Sequence, residues 1–181
     1  MIGKNNLFKK IIKTNRLILR PMDFTHSEII VKWRNSSHVA EMNRKSQKKD
    51  LTIEDHENWL KGTRDLRVDY IIELIEKQKI IGSVSFIWEI DKIEDKIYAE
   101  MGNYIGEVDE LRKGYGKESL IAWIDYGFKE FKLDKIFAYI NEINKVNLKI
   151  YHDLNFKIKN FSKKNVVLEK KWLYLELIKK K

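Results

Sequence analysis

Three strand-like runs follow one another in the middle of the chain, and this succession constrains the fold more than any other feature of the sequence. The runs are DYIIELIE (69–76), KIIGSVSFIWEI (79–90) and KIYAEMGNYIG (96–106). Only Lys77 and Gln78 separate the first two runs, and such a short polar connection is typical of a β-hairpin. Because no helical pattern separates the second run from the third, we expect an antiparallel start to the sheet.

Helical and strand-like segments lie on both sides of these runs. A strand is predicted in TNRLILRPM (14–22), where apolar residues alternate with others. A helix is predicted from Thr25 to about Val39, and a second begins near Thr52, where Asp55 three residues later resembles a capping arrangement. The remaining predicted elements are the strands KIFAYIN (135–141), NFKIKNF (155–161) and VVLEKKWLYLELI (166–178) and the helix NKVNLKIYHDL (144–154).

The order of these elements predicts an α/β domain with a mixed, largely antiparallel central sheet flanked by helices. A chain of 181 residues, 43% of them hydrophobic, suits one domain with a real core. Residues 1–13 are predicted to be an N-terminal extension and residues 14–181 the single domain. No apolar run reaches the ~18 residues of a membrane span, and the N-terminus lacks a signal-peptide pattern. We therefore expect a cytoplasmic protein with no membrane partner.

Composition also limits the chemistry. The chain has no cysteine, which excludes disulfides and thiolate catalysis. The net charge is +9, but only seven of the 36 basic residues are Arg and these are scattered. We therefore predict no nucleic-acid partner, whereas an acidic ligand such as a nucleotide or phosphate ester is compatible with the charge. No metal site is predicted, because the four His, at 26, 38, 56 and 152, are scattered as well.

A glycine-containing basic stretch, ELRKGYGKESL (110–120), precedes a predicted helix. It does not match the nucleotide P-loop, because Leu111 stands where the first glycine belongs and Glu118 replaces the magnesium-binding hydroxyl. It does not match the dinucleotide fingerprint either, because Ser119 occupies the place of the third glycine. The apolar positions of the helix that follows are Leu120, Trp123, Ile124, Phe128 and Phe131.

The stretch predicts a pyrophosphate cradle of another type. Gly114 and Gly116 allow a ligand to approach the backbone closely, and amides 112–117 can point into one concavity. The helix that begins near Lys117 adds the positive end of its dipole.

The segment LRKGYG (111–116) resembles the acetyl-CoA loop of the GNAT acyltransferases, written Q/R-x-x-G-x-G/A. Leu111 departs from the pattern, and Arg112 follows one residue later. RLILRP, IIGSVSF, AEMGNYIGE and NKVNLKIYHDLNF occur in the order that the family has them, so the resemblance covers roughly residues 14–178. It implies the GNAT acyl-CoA N-acyltransferase fold, acetyl-CoA as co-substrate without a metal, and direct transfer of the acetyl group to a primary amine.

Two branches of the family share features with this sequence. IGEVDELRKGYGKESL resembles the loop of ribosomal-protein N-terminal acetyltransferases, whereas KWRN (32–35) and EDHENW (54–59) resemble bacterial amino-sugar-nucleotide N-acetyltransferases. The expected acceptor is a nucleotide-linked amino sugar. The alternatives are a protein N-terminus and a small amine, although the basic surface disfavours a polycationic one. A CoA-binding sensor module without activity and a homodimer both stay open.

The resemblance assigns a set of cofactor-binding residues. The strand at Asn103, Tyr104 and Ile105 is expected to contact the thioester through its main chain. Asn144 is expected to contact the pantetheine arm, and alternatively to cap the helix that follows it. The remaining cofactor-binding residues are Arg112, Lys113, Gly114, Tyr115, Gly116 and Lys117 of the loop, with Asn147 at a position that is usually small.

Two residues are expected to carry the catalysis. Tyr151 matches the Tyr that stands near the sulfur of CoA in the family, and a phenol of pKa about 10 can protonate a thiolate of pKa about 8.5. Alternatively it is a core residue, since it shares a helical face with Leu148 and Leu154. Glu100 is the expected general base, directly or through water. The alternatives for Glu100 are a salt bridge or a reaction without a side-chain base.

The acceptor-binding candidates come from the predicted helices after the first strand. They are Trp33, Arg34, Asn35 and His56. Arg34 could bind a diphosphate or carboxylate with two parallel hydrogen bonds. The alternatives are that Trp33 packs in the core, that Asn35 ends a helix and that His56 is solvated.

Overall fold

The computed structural model describes residues 10–42, 50–63, 65–91, 93–159 and 172–179. The strands are β1 (Ile12–Lys13), β2 (Leu17–Pro21), β3 (Arg67–Leu74), β4 (Lys79–Asp91), β5 (Lys96–Ile105), β6 (Lys135–Asn141), β7 (Lys157–Lys159) and β8 (Trp172–Ile178). They form one sheet in the order β1-β2-β3-β4-β5-β6-β8-β7. Neighbouring strands are antiparallel except for β5 and β6, which are parallel. The predicted mixed, largely antiparallel sheet is confirmed.

In the described ranges, five α-helices flank the sheet: α1 (Ser27–Asn35), α2 (Ser37–Ala40), α3 (Ile53–Thr63), α4 (Tyr115–Lys129) and α5 (Lys145–Asp153). The predicted continuous helix from Thr25 to Val39 is wrong, because Ser36 has an extended conformation (φ −75°, ψ 143°) and separates α1 from α2. Its backbone N–H and its hydroxyl both donate to the carbonyl of Trp33, which ends the first helix. The predicted cap of α3 is confirmed, since Thr52 Oγ1 accepts from the N–H of Asp55 at 3.1 Å.

The two faces of the central strands differ. On one face, alternate residues of β3, β4 and β5 form the main core with α4, where the Trp123 ring packs 4.7 Å from Tyr70 and 4.8 Å from Phe86. The residues between them, such as Asp69 and Ser85, lie on the opposite face and line a large cavity beneath α1 and α3. The sheet therefore separates the core from a candidate binding surface.

The two ends of the described chain bear on the predicted domain boundaries. Ile12 and Lys13 pair with β2, so the predicted boundary at residue 13 falls inside the first antiparallel pair. Residues 1–9 and 160–171 lie outside the described residues, as do parts of both predicted C-terminal strands.

No helix within the described ranges is long and apolar enough to cross a membrane.

The parallel pair β5 and β6 is joined over a short distance. Between these two fully described strands, pairing covers three residue pairs, from Tyr98↔Lys135 to Glu100↔Phe137. Beyond them β5 continues to Ile105 and β6 continues to its last residue without pairing to each other. The two strands therefore diverge and leave a wedge-shaped opening in the sheet.

Candidate active site

A cavity of about 970 Å³ occupies this wedge and extends over the polar face of the sheet. Its volume is at the upper end of what is usual for small-molecule sites. Four groups of residues line it: loop residues between Glu110 and Lys117, side chains of α1–α3, strand residues such as Asp69 and Glu100, and the face of α5 that carries Tyr151. The cavity thus connects the predicted cofactor residues to the predicted acceptor residues.

The glycine loop has the backbone geometry of an anion cradle. Arg112 (φ 62°) and Gly114 (φ 86°) are both left-handed, and Gly114 is the N-cap of the 15-residue helix α4. No side chain caps this helix, so its first amides are available to a ligand. At Gly116 an added Cβ would lie 3.8 Å from the nearest atom, a side-chain carbon of Ile105, so packing alone does not require glycine there.

Arg16 and Glu118 fasten this loop to the sheet. The Arg16 guanidinium donates to Glu118 Oε2 at 2.7 Å and to the carbonyl of Lys113 at 3.1 Å, and it lies 4.5 Å from the centre of the Tyr115 ring. Thr14 Oγ1 donates to Glu118 Oε1 at 2.6 Å. Although partial burial opposes the effect, hydrogen bonds from Thr14 and Arg16 lower the pKa of Glu118. The loop is therefore held in place by the protein itself.

Two of the predicted phosphate-binding lysines already have acidic partners. Lys113 Nζ lies 2.8 Å from Glu110 Oε2, and Lys117 Nζ lies 2.9 Å from Asp153 Oδ2, which joins α4 to α5 at the edge of the cavity. Hydrogen bonds from Lys113 and Lys77 lower the pKa of Glu110. Because these cations are engaged, the backbone amides are the clearest anion-binding groups of the loop.

Tyr151 and Asn103 meet inside the wedge. Tyr151 is buried, and its hydroxyl donates to Asn103 Oδ1 at 3.0 Å. Burial raises the pKa of Tyr151, and the negative charge of Glu100 raises it further, so the phenol stays protonated at neutral pH. The aromatic ring packs in the core near Phe156 while the hydroxyl reaches the cavity. The core interpretation and the site interpretation of Tyr151 are thus compatible.

Glu100, Asn144 and Asn147 also line the cavity. Glu100 lies on the polar face of the sheet, in the same row as Ile87 and Arg67. Asn144 is the N-cap of α5, and its Oδ1 accepts from the N–H of Asn147 at 3.1 Å. The cap leaves its amide nitrogen as a donor for a ligand, so both interpretations of Asn144 can hold together.

His56 is not solvated, and that interpretation was wrong. It is 1% exposed, stacks on Trp59 with ring centres 5.5 Å apart, and has Nδ1 3.1 Å from the hydroxyl of Ser27. Burial, followed by the positive charges of Arg34 and Arg67, lowers the pKa of His56 to about 4. The imidazole is therefore neutral at neutral pH. Its position in α3 beneath α1, which no local pattern reveals, is what buries it.

The wall formed by α1–α3 contains several nitrogens without partners. Among the described residues, Arg34 Nε, His38 Nε2 and His56 Nε2 are buried and have no hydrogen-bond partner. All three residues line the cavity. Arg34 lies 5.9 Å from the Trp59 ring, and no described carboxylate pairs with it. A buried polar atom without a partner is costly, so a cluster of them beside a cavity indicates a place for a ligand with complementary oxygens.

Trp33 and Asn35 lie outside the cavity lining and have structural contacts. Trp33 is buried, and its Nε1 donates to Glu107 Oε1 at 2.7 Å. Its ring fills the space above Gly106, where an added Cβ would come within 2.1 Å of it. Asn35 ends α1 and exchanges two hydrogen bonds of 2.9 Å with the backbone of Leu51. The structure thus agrees with the core and helix-end interpretations of these two residues.

Sequence reasoning missed an ion pair on the cavity floor. Arg67 donates to Asp69 through Nε at 2.7 Å and through Nη2, and its guanidinium lies 4.4 Å from the Trp59 ring centre. Burial raises the pKa of Asp69, against the opposing effect of Arg67. Two charged residues at alternate strand positions could have signalled the pair, but the predicted strand began at Asp69. Other lining residues that the sequence did not single out include His38, Trp59, Ser83, Ser85, Tyr139 and Asn141.

The described part of the chain holds no group of three or more His, Asp or Glu placed to bind a metal ion. The groups that the structure brings to the cavity are an anion cradle, a buried phenol, carboxylates on the floor and a helical wall that carries the Arg34 cation.

The proteins with a related sequence or fold include several acetyltransferases. Acetyltransferase PseH from Campylobacter jejuni is 28% identical over 133 residues, which cover 72% of this chain and 76% of the relative. The fold is similar to that of a ribosomal-protein-S5-alanine acetyltransferase from Vibrio fischeri (TM-score 0.77, 19% identity, 94% and 97% of the two chains). It is also similar to a spermidine N-acetyltransferase from Vibrio cholerae (TM-score 0.78, 16% identity, 91% and 96%).

The family model of the acetyltransferase (GNAT) domain matches residues 16–157. This range contains the diverging strands, the glycine loop and the helix that carries Tyr151. The chain belongs to the GNAT family of acetyl-CoA-dependent acetyltransferases.

Proposed function

We propose that this enzyme transfers the acetyl group of acetyl-CoA directly to the primary amine of an acceptor that carries an anionic group, with a nucleotide-linked amino sugar as the first candidate. The observation that carries the choice of acceptor is the wall of unpartnered nitrogens at Arg34, His38 and His56. A diphosphate offers several oxygens to such a wall, and Arg binds them with two parallel hydrogen bonds.

The cofactor is assigned to the glycine loop and the wedge. Its pyrophosphate would lie on the amides at the start of α4, with Arg112, Gly114 and Tyr115 around it. Its pantetheine arm would lie between β5 and β6, where the main chain of β5 no longer pairs with β6. The remaining contacts are assigned to Asn103, Tyr104, Ile105, Lys113, Gly116, Lys117, Asn144 and Asn147.

The transfer requires several movements of protons and charge. The acceptor ammonium gives a proton to Glu100, directly or through water, and the neutral amine attacks the thioester carbon. The tetrahedral intermediate then expels the thiolate of CoA. Tyr151, which is still protonated at neutral pH, gives its proton to that thiolate. The nitrogen loses its remaining extra proton to water, and Tyr151 regains a proton from water.

The acceptor side of the cavity combines charges of both signs. Arg34 contributes a cation on the helical wall, whereas Asp69 and Glu100 lie on the floor. Because Arg67 neutralises Asp69, the floor can accommodate one ammonium but offers little to a chain of several. This distribution favours an acceptor with one amine and an anionic group over a polyamine.

The test follows the release of free CoA thiol with a thiol reagent, and a protein without cysteine contributes no background. UDP-amino sugars, N-terminal peptides, polyamines and aminoglycosides are compared as acceptors. We expect release with the UDP-amino sugars, and Arg34→Ala should raise the KM for that acceptor about 10-fold while the KM for acetyl-CoA stays unchanged.

Other outcomes lead to different conclusions. Release only with N-terminal peptides would favour the protein N-terminal branch, and release only with polyamines would contradict the cationic wall as an acceptor site. Binding of acetyl-CoA without release with any acceptor would favour the sensor module. Asn35→Ala serves as the matched control, since this residue lies on the same helix as Arg34 but outside the cavity lining.

A further inference from the structure

Asn103 presents its two amide atoms to different groups. The residue lies opposite Val84 in the β4–β5 ladder, so its side chain lies on the core face of the sheet, toward α5. There Oδ1 accepts the hydrogen bond from Tyr151. This bond fixes the amide plane, because Tyr151 is itself buried and held in the core near Phe156.

The other amide atom of Asn103 is left for a ligand. Nδ2 has no hydrogen-bond partner among the described residues, and it is not one of the buried unpartnered atoms of the structure. Asn103 lines the cavity in the part of β5 that has diverged from β6. An oriented N–H donor therefore faces the wedge beside the phenol of Tyr151.

The carboxylate of Glu100 lies on the opposite face of the same strand. Glu100 lies on the same face of β5 as Gly102 and Tyr104. Asn103 lies on the other face, together with the core residues Ala99 and Met101. A group held in the wedge thus has a carboxylate on one side of β5 and an amide donor on the other. This is the arrangement that an acyl group needs when an amine attacks from the floor side and negative charge develops on oxygen.

We propose that the side-chain amide of Asn103 donates a hydrogen bond to the thioester oxygen and stabilises the oxyanion during transfer, with Tyr151 holding the amide in place. This rests on the proposed function. When the amine nitrogen bonds to the carbonyl carbon, the π electron pair moves to oxygen and Asn103 Nδ2–H binds that charge. When the C–S bond breaks, the pair returns to form the carbonyl and the thiolate takes a proton from Tyr151. The amide nitrogen loses its extra proton to water, and Tyr151 regains a proton from water.

The test compares Asn103→Asp, Asn103→Ala and Asn103→Ser with the wild type. Asn103→Asp keeps the shape and the acceptor for Tyr151 but removes the N–H donor. We expect kcat to fall about 100-fold in Asn103→Asp and Asn103→Ala, as for the loss of one oxyanion donor. The KM for acetyl-CoA should change less than 3-fold, and so should the Kd of free CoA, which lacks the thioester carbonyl. Lys96→Ala, at the exposed start of the same strand and outside the cavity lining, should retain wild-type turnover.

The slow hydrolysis of acetyl-CoA without any amine provides a second readout. It passes through the same type of tetrahedral intermediate, so Asn103→Asp should lower it by a similar factor even if no acceptor has been found. If the wild type showed no acceptor-dependent turnover, this result would count against the proposed function but not against the role of Asn103.

Several results would overturn the role of Asn103. One is a folded Asn103→Ala or Asn103→Ser protein, judged by thermal unfolding, with kcat and hydrolysis within 3-fold of the wild type. Another is a rise in KM for acetyl-CoA with unchanged kcat, which would mean that the amide binds the cofactor without stabilising the transition state.

Discussion

At the scale of single residues, burial shifts the pKa of two groups that face the cavity. Tyr151 and His56 are both buried, and each is held in its neutral form, the phenol by a raised pKa and the imidazole by a lowered one. A neutral phenol can donate a proton, and a neutral imidazole can accept a hydrogen bond or take up a proton. Each state can be tested by a substitution.

Tyr151→Phe should lower kcat about 100-fold while the Kd of acetyl-CoA stays nearly unchanged. The ring and its packing remain, but the proton donor for the thiolate and the hydrogen bond to Asn103 are lost. Initial rates of thiol release and isothermal titration calorimetry measure the two quantities. Unchanged turnover would remove Tyr151 from the acid role.

His56 should make the protein less stable as the pH falls. Its pKa is about 4 in the folded state and near 6.5 in the unfolded state, so between these values the unfolded chain binds more protons. The stability that depends on neutral His56 is complete above pH 6.5, and about 2 kcal/mol of it is lost by pH 5. Urea unfolding of the wild type and His56→Gln at pH 7.5 and pH 5 measures this. Equal pH dependence in the two proteins would contradict the assignment.

At the scale of elements, the glycine loop combines a strained backbone with external support. Gly114 has a φ of 86°, which side chains with a Cβ rarely adopt, whereas Gly116 has no such requirement and has room for a methyl group. Arg16 and Glu118 hold the loop against β2 whether or not a ligand is present. The loop is therefore an element whose shape is set before binding.

Gly114→Val should weaken CoA binding by more than about 50-fold, because a β-branched residue cannot keep the left-handed turn that directs the amides inward. Gly116→Ala is the matched control, and its Kd should stay within about 3-fold of the wild type. Calorimetry gives both Kd values, and circular dichroism verifies that the helices persist. Normal affinity in Gly114→Val would contradict the cradle.

At the scale of the whole molecule, the first two strands connect the N-terminus to the core. Ile12 and Lys13 pair with β2. In addition, the carbonyl of Lys10 accepts a hydrogen bond of 3.0 Å from the hydroxyl of Tyr70, and Lys10 Nζ lies 2.6 Å from Glu130 Oε1. These contacts couple residues near the start of the chain to β3 and to the end of α4. We therefore propose that residues 10–13 belong to the domain.

Deletion of residues 1–13 should therefore destabilise the protein, whereas deletion of residues 1–9 leaves all of these contacts in place. If the lost pairing and hydrogen bonds are worth about 1 kcal/mol or more, the Tm should fall by at least about 2–4 °C. Differential scanning calorimetry of the two truncated proteins and the full chain measures the difference. Identical Tm values for the two truncations would contradict the boundary.

The sequence predicted those parts of the molecule that depend on local patterns. The meander of β3, β4 and β5 follows from alternating runs with short connections, and the glycine loop follows from its residues and its place before α4. Local patterns did not predict the break at Ser36 or the burial of His56, because both depend on how α1 and α3 pack together. The Arg67–Asp69 pair was missed since it begins two residues before the predicted strand.

Because β5 and β6 diverge, the two parts of the sheet are joined by only a few hydrogen-bonded residue pairs. Five strands lie on one side of the three residue pairs that join β5 to β6, and three strands lie on the other. A cofactor arm that hydrogen-bonds along the open stretch would act as a substitute strand and connect the two parts. Occupancy of the wedge should then slow amide hydrogen exchange in β6 and β8, strands that contribute few of the residues lining the cavity.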